Sequence, residues 1–515
     1  MTPDHPDPDH PDPDHHDPVG HDPVDHDPVD PGSSGPDHHD PVDPRGSDAL
    51  GMSTEEFRRL GYWIVDRVAE RGETLADDPV IVAAAPHELR AQFDGPPPRL
   101  PGDPMAALEL LARVAMHTKQ QSDHPRYFAR VPGPSSFTGV LGEWLGVGFN
   151  TIAASWGGGA GPTAVELVAI DWIRELMGLP EGSEGILVSG GSLANLTALV
   201  TARTCGGSGV AYLSDQTHSS VLRDLVIIGF PPEHIRIIDT REGLRLTAAD
   251  VREAVGADRA AGLTPRIVIG TAGSTNTGRV DELDALADLC AEEGLWLHLD
   301  GAYGAPAALT DEGRAALHGM ERADSLVLDP HKWLFQPFDV ACVLVRRPGA
   351  LEAAFSMNPE YLRDVQGVDD EVDLRNRGPE LSRRARGLKL WLTFVTHGTE
   401  RIGAAIQRGL DNATYAQSVL DDDPDWEVVT AAQLGVVTFV RRNRDDGWHV
   451  EAAREITESG YAALSCTRLS DRDVLRLCTI NPRTTHDDIA RTLQRLASTP
   501  ERSPSIERSS PSPTN

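Results

Sequence analysis

Short apolar runs alternate with longer amphipathic stretches along the middle of this chain. Gly185–Ser189, Val210–Leu213, Ile235–Ile238, Arg266–Ile269, Leu295–Leu299 and Ser325–Leu328 are compact apolar segments that predict strands. Ser192–Arg203 and Asp281–Glu293 predict helices between them. Strand and helix alternate in this way from about residue 135 to 395. Such alternation predicts an α/β fold, with a mostly parallel central sheet and helices on both faces. Ligands bind such sheets outside the carboxyl ends of the strands.

Before this region, Ser53 or Thr54 is placed to cap a helix with Glu55 and Glu56 in its first turn. Phe57, Leu60, Ile64, Val65 and Val68 follow at helical spacing. After Arg386 a long helix leads toward a small α+β C-terminal domain, with strands expected at Leu434–Val440 and Val474–Cys478. Five segments result: a tail over 1–50, a helical segment over 51–134, a large domain over 135–395, a small domain over 396–498, and a second tail over 499–515.

Composition sharpens the picture at the ends. Residues 1–50 repeat Asp-Pro, His-Pro and Asp-His units, as in His21-Asp-Pro-Val-Asp-His-Asp-Pro-Val29. Proline and acidic charge without apolar residues cannot bury a core, so this tail is expected to be disordered. The Ser/Pro-rich stretch from about Thr499 is read the same way. The 515 residues suffice for two or three domains, and a hydrophobic content of 39% supplies their cores. No run approaches the roughly 18 apolar residues of a membrane span, and no signal peptide opens the chain. The net charge of −32 argues against nucleic acid or an anionic membrane as partner. Cys205, Cys290, Cys342, Cys466 and Cys478 are scattered without metal-ligand spacing, so they read as reduced thiols in a cytoplasmic protein and no metal site is expected.

The chemistry concentrates at strand ends. One apolar run ends in Asp300-Gly-Ala302, and another in Asp329-Pro-His-Lys332. A carboxylate and a lysine so placed suit pyridoxal 5'-phosphate, whose aldehyde condenses with a lysine amine and whose protonated pyridine nitrogen pairs with a carboxylate. Ser189-Gly-Gly-Ser-Leu-Ala-Asn195 joins a strand to a helix, where glycines let the backbone approach an anion and the helix N-terminus offers N–H groups. Arg476 lies on an apolar strand, where a charge needs a partner.

His298-Leu-Asp-Gly-Ala-Tyr303 and Asp329-Pro-His-Lys-Trp-Leu334 resemble motifs of the group II pyridoxal-phosphate amino acid decarboxylases, and the resemblance runs from about Met52 to about Ala497. It implies a fold-type-I homodimer that decarboxylates an L-amino acid or amino acid conjugate, and it makes Met52 a candidate initiator. It also implies a set of roles. Lys332 carries the cofactor and Asp300 pairs with its ring nitrogen. Gly190, Gly191 and Ser192 cradle its phosphate. His218 stacks on the ring beside the substrate carboxylate, Thr275 lies near the cofactor, and Ala302 is the small residue under the ring. Asp329 and His331 flank the lysine. Tyr361, on a catalytic loop, helps protonate the carbanion, and Arg476 lies near the site. Arg130 and Val131, in Tyr127–Gly133, and Ala154 stand where aromatic decarboxylases carry rings. These departures argue against a simple aromatic substrate, and Arg130 reads either as a surface or salt-bridged arginine or as a contact to a polar group on the substrate side chain. Two rivals remain: decarboxylation coupled to oxidative deamination, giving an aldehyde, and a non-catalytic scaffold. Retention of Tyr361 argues against the first, and the full set of catalytic residues against the second.

Overall fold

The computed structural model describes residues 50–240, 243–357 and 371–500. The chain divides into two compact units, residues 1–64 and 65–515. The described part of the first holds the start of the helix Thr54–Thr74, where the Ser53 hydroxyl accepts the Glu56 N–H at 3.1 Å, as an N-cap does.

The second unit contains two sheets. The larger is built from β1 (Glu184–Val188), β2 (Val210–Ser214), β3 (Ile235–Ile238), β4 (Pro265–Thr271), β5 (Trp296–Asp300), β6 (Ser325–Leu328) and β7 (Ala341–Val345), in the order β1-β7-β6-β5-β4-β2-β3. The pairs from β6 through to β3 are parallel, while β7 runs antiparallel to both β1 and β6. The expected mostly parallel sheet is therefore present, with one reversed strand that the sequence reading lacked. A parallel crossover usually carries a full helix on one face of the sheet, whereas the link between β6 and β7, residues 329–340, holds only the one-turn helix Pro330–Trp333.

Side chains alternate between two cores. Leu187, Tyr212, Val268, Leu297 and Leu326 pack on one face. Ile186, Ala211, Ile267, Trp296 and Val327 pack on the other. Helices cover both faces, so these strands are apolar at nearly every position.

The small sheet is wholly antiparallel and consists of β8 (Trp426–Gln433), β9 (Val436–Arg441), β10 (Ser465–Leu469) and β11 (Arg472–Cys478), in the order β10-β11-β9-β8. The helices Asp446–Glu458 and His486–Ala497 bury Ile456, Ile489, Leu493 and Leu496 against it. The long helix Gly387–Asp421 joins the two regions. Its first residue packs on Glu166, and Gly409 packs against Trp333 and Ile480.

Candidate active site

The carboxyl ends of β1, β2, β4, β5 and β6 converge on a cavity of about 470 Å³. All ten residues read as cofactor-binding line it: Gly190, Gly191, Ser192, His218, Thr275, Asp300, Ala302, Asp329, His331 and Lys332. Folding has brought together groups that come from five separate strand ends.

Asp300 ends β5 and is buried. Its Oδ1 accepts the Ala302 N–H at 3.0 Å, and its Oδ2 accepts from Asn195 Nδ2 at 3.1 Å. Two donors hold the carboxylate in one orientation. Lys332 lies on the short helix after β6, and its Nζ is 2.8 Å from Asp329 Oδ2. The chain has three lysines, Lys119, Lys332 and Lys389. Lys332 alone lines the cavity; Lys389 is buried elsewhere, donating to the carbonyls of Pro337 and Asp339 and paired with Glu143.

Gly191 starts the helix Gly191–Gly206, and the first helical N–H with an internal partner is that of Ala194, bonded to the Gly190 carbonyl. The preceding N–H groups form an anion-binding end beside the cavity. A Cβ on Gly191 would lie 2.8 Å from the Asp329 carboxylate and would push it aside; one on Gly190 would meet only an ordinary contact at 3.8 Å.

His331 Nδ1 donates to the Val340 carbonyl at 2.8 Å, its ring lies against Phe338 at a tilt of 39° with centroids 4.6 Å apart, and burial lowers its pKa. His218 caps the helix Ser219–Ile227; its Nδ1 faces the Ser220 hydroxyl at 2.8 Å.

Three buried polar atoms of lining residues have no hydrogen-bond partner among the described residues: Asp329 Oδ1, Thr271 Oγ1 and Tyr303 Oη. Unpaired buried polar atoms are costly unless a ligand satisfies them. An amine, a fixed carboxylate, an anion-binding helix end and unsatisfied polar atoms suit pyridoxal phosphate.

The expected substrate residues are placed differently. Arg130 is exposed, with a backbone φ of 50°. Its N–H reaches Ser465 Oγ at 3.3 Å and its carbonyl accepts from Arg476 Nη1. Arg130, Val131, Ala154 and Arg476 are not among the residues lining the cavity. Val131 packs against the main core, and Ala154 is buried, its carbonyl accepting the Arg375 N–H at 2.8 Å. Arg476 is buried on β11, and its Nε and Nη2 have no partner among the described residues. Tyr361 lies outside the described residues.

Asn195, Ser220, Tyr303 and Phe338 also belong to the site and were not singled out from the sequence. A signal existed for Asn195: an amide inside a helix that otherwise buries small and apolar residues needs a polar partner.

Fold and cavity together define a pyridoxal-phosphate-dependent enzyme of fold type I. The family model described as "Pyridoxal-dependent decarboxylase conserved domain" matches residues 86–442. An aromatic-L-amino-acid decarboxylase of Bacillus atrophaeus is 42% identical over 463 residues, covering 87% of this chain and 96% of the relative. A phenylacetaldehyde synthase of Arabidopsis thaliana is 30% identical over 452 residues, covering 82% and 92%. Among solved structures, Oryza sativa TDC with PLP and tryptamine superposes with a TM-score of 0.83 at 26% identity, covering 88% of this chain and 99% of that one. The chain belongs to the pyridoxal-dependent decarboxylase family and is a pyridoxal-phosphate-dependent amino acid decarboxylase.

Proposed function

We propose that this enzyme converts an aromatic L-amino acid to the corresponding amine and carbon dioxide, as a homodimer in the cytoplasm. The observation that carries the reading is the shared cavity wall of Lys332 and Asp300, the chain's one cavity-lining lysine and a carboxylate held by two donors. Likeness to an aromatic-L-amino-acid decarboxylase over most of both chains supports an aromatic substrate. The ring of Phe338, on the cavity and 62% exposed, offers such a side chain a stacking surface. The exposed position of Arg130 gives no support to a cation in the side-chain pocket.

Bound pyridoxal phosphate supplies the electron sink for the pair left behind when the α-carboxylate departs. Lys332 would hold the cofactor through its amine, Asp300 would hold a proton on its pyridine nitrogen, and the helix end at Gly191 and Ser192 would hold its phosphate. His218 orients the substrate carboxylate, and Arg476 offers two unpaired donors on the small domain. Tyr361, outside the described residues, delivers the proton to the α-carbon. A hydroxyl there favours amine over aldehyde.

The homodimer is supported by the helix Phe137–Gly148. Phe137, Leu141, Leu145 and Phe149 recur every four residues along it, and each is more than half exposed in the single chain. A ridge of this kind marks an interaction surface. The free cysteines, three of them buried, support a reducing compartment.

The test is product analysis with purified enzyme on a panel of amino acids. Equimolar amine and carbon dioxide from an aromatic L-amino acid are expected. Aldehyde with ammonia and peroxide would establish the oxidative reaction instead, and preference for a non-aromatic substrate would overturn the pocket reading.

A further inference from the structure

Behind the cavity, five polar side chains form one buried chain of hydrogen bonds. Trp296 Nε1 lies 2.9 Å from Ser325 Oγ, Ser325 Oγ 2.9 Å from His298 Nδ1, His298 Nε2 3.0 Å from Asn195 Oδ1, and Asn195 Nδ2 3.1 Å from Asp300 Oδ2. Trp296, Ser325, His298 and Asn195 are all buried, so each bond is made away from water.

The chain has one direction. Asp300 as a carboxylate accepts only, so Asn195 presents its NH₂ to Asp300 and its carbonyl to His298. The flipped amide would set oxygen against oxygen. Asn195 Oδ1 therefore requires a proton on His298 Nε2. Burial lowers the His298 pKa to about 4, so the ring is neutral and Nδ1 carries a lone pair. Ser325 donates to that lone pair and accepts from Trp296, whose N–H donates only.

A branch leaves Asn195 toward the other catalytic side. Its Nδ2 also lies 3.3 Å from Ser220 Oγ, which is 2.8 Å from His218 Nδ1. That same Nδ1 accepts the Ser220 backbone N–H at 3.3 Å, so it carries a lone pair. His218 then holds its proton on Nε2, in the form that can donate to a carboxylate.

We propose that Asn195 is a positioning residue that orients the Asp300 carboxylate and, through Ser220, fixes the His218 tautomer, and that His298 acts as its orienting donor. Asn195 makes no step of the reaction itself. The inference rests on the assignment of Asp300 as the ring partner.

The test uses full-length holoenzyme and apoenzyme of Asn195→Ala, His298→Leu and His298→Gln, beside Asp300→Asn. Four quantities are read: kcat, KM, the dissociation constant for cofactor rebinding to apoenzyme, and the pH midpoint of the cofactor's visible absorbance. A hydrogen bond to a charged group is lost in Asn195→Ala and loosened in His298→Leu. Their kcat is expected to fall about ten- to a hundredfold with KM little changed. Cofactor affinity should weaken severalfold and the absorbance midpoint should move. Gln at 298 offers one donor and one acceptor, as the neutral imidazole does, so His298→Gln should recover most of the loss seen in His298→Leu.

If His298→Gln is as impaired as His298→Leu, the directional donor role is wrong. If Asn195→Ala and His298→Leu keep wild-type kcat and midpoint beside an impaired Asp300→Asn, the relay alone is overturned. If Asp300→Asn is also unimpaired, the ring-partner assignment falls with it. Should Asn195→Ala fail to fold, the two His298 variants decide the question.

Discussion

Asn195 Nδ2 and Asp300 Oδ2 are 3.1 Å apart, although 105 residues separate them in sequence. The contact ties the helix that cradles the phosphate to the strand end that carries the ring partner. A neutral amide at 300 keeps the shape but cannot hold the pyridine proton. Asp300→Asn should therefore retain the fold, with a lowered thermal midpoint of the apoenzyme because its single amide oxygen accepts from only one of the two donors, and lose well over tenfold in kcat, at least about 1.4 kcal/mol of transition-state stabilisation. Steady-state assays of holoenzyme check this; a smaller loss would remove Asp300 as ring partner.

Lys332 pairs with Asp329 at 2.8 Å, so its removal has both an electrostatic and a covalent consequence. Lys332→Arg separates them, since arginine keeps the charge but forms no stable covalent link to the aldehyde. Both Lys332→Ala and Lys332→Arg should lack turnover and the visible absorbance of lysine-linked cofactor. Absorbance spectra and carbon dioxide assays read the outcome. Activity in Lys332→Arg would show that charge alone suffices.

Arg383 and Glu166 form an ion pair at 2.6 Å with both side chains wholly buried. Arg383 also donates to the carbonyls of Ala153 and Leu187, locking the segment before Ser155 against β1. Burial raises the Glu166 pKa above its ordinary value even beside the arginine. The pair therefore contributes little net stability, yet breaking it leaves a lone buried charge. Arg383→Leu should cost about 3–5 kcal/mol, while Arg383→Leu combined with Glu166→Leu should cost distinctly less. Urea denaturation of apoenzyme measures both; equal costs would contradict the argument.

Asp224 is buried on the helix Ser219–Ile227, and its Oδ2 has no partner among the described residues. Burial first, opposed by Arg223 and aided by the Asp300 charge, raises its pKa from 3.8 to about 7. A carboxyl whose folded pKa exceeds its unfolded value binds more protons in the native state, so it costs nothing below pH 4 and destabilises increasingly from pH 4 to 7. Asp224→Asn removes this cost. It should raise the thermal midpoint at pH 8 and do so less at pH 5, with a gain of about 1–3 kcal/mol at the higher pH. A gain independent of pH would show that Asp224 does not titrate in this window.

Much of the site was legible because its chemistry sits at strand ends. The apolar runs that end at Asp300 and at Asp329–Lys332 mark β5 and β6 and point both groups at one place. The glycine pair at 190–191 marked the helix start on similar grounds. What escaped depends on partners distant in sequence. Asn195 and His298 look like ordinary core residues until folding sets them 3.0 Å apart across 103 residues.

In the small sheet, β10 turns into β11 through Ser470 and Asp471, both at positive φ, and β8 into β9 through Leu434 and Gly435. Neither pair is the Asn-Gly or Asp-Gly signal that announces such a hairpin, so β8 and β10 were not foreseen. At Arg130 the residue type left a surface arginine and a substrate contact both open; the residue is exposed and its backbone carbonyl receives Arg476.

The central claim is that Lys332 carries the cofactor, and the chain's small number of lysines makes it directly testable. Borohydride reduction of the holoenzyme fixes the cofactor to whichever amine holds it, and peptide mass analysis then locates the added mass. The account expects one pyridoxyl group per chain on the peptide containing Lys332, with Lys119 and Lys389 unmodified. Stoichiometric label on either of those lysines, or no covalent label in a preparation that releases carbon dioxide from an amino acid, would contradict it.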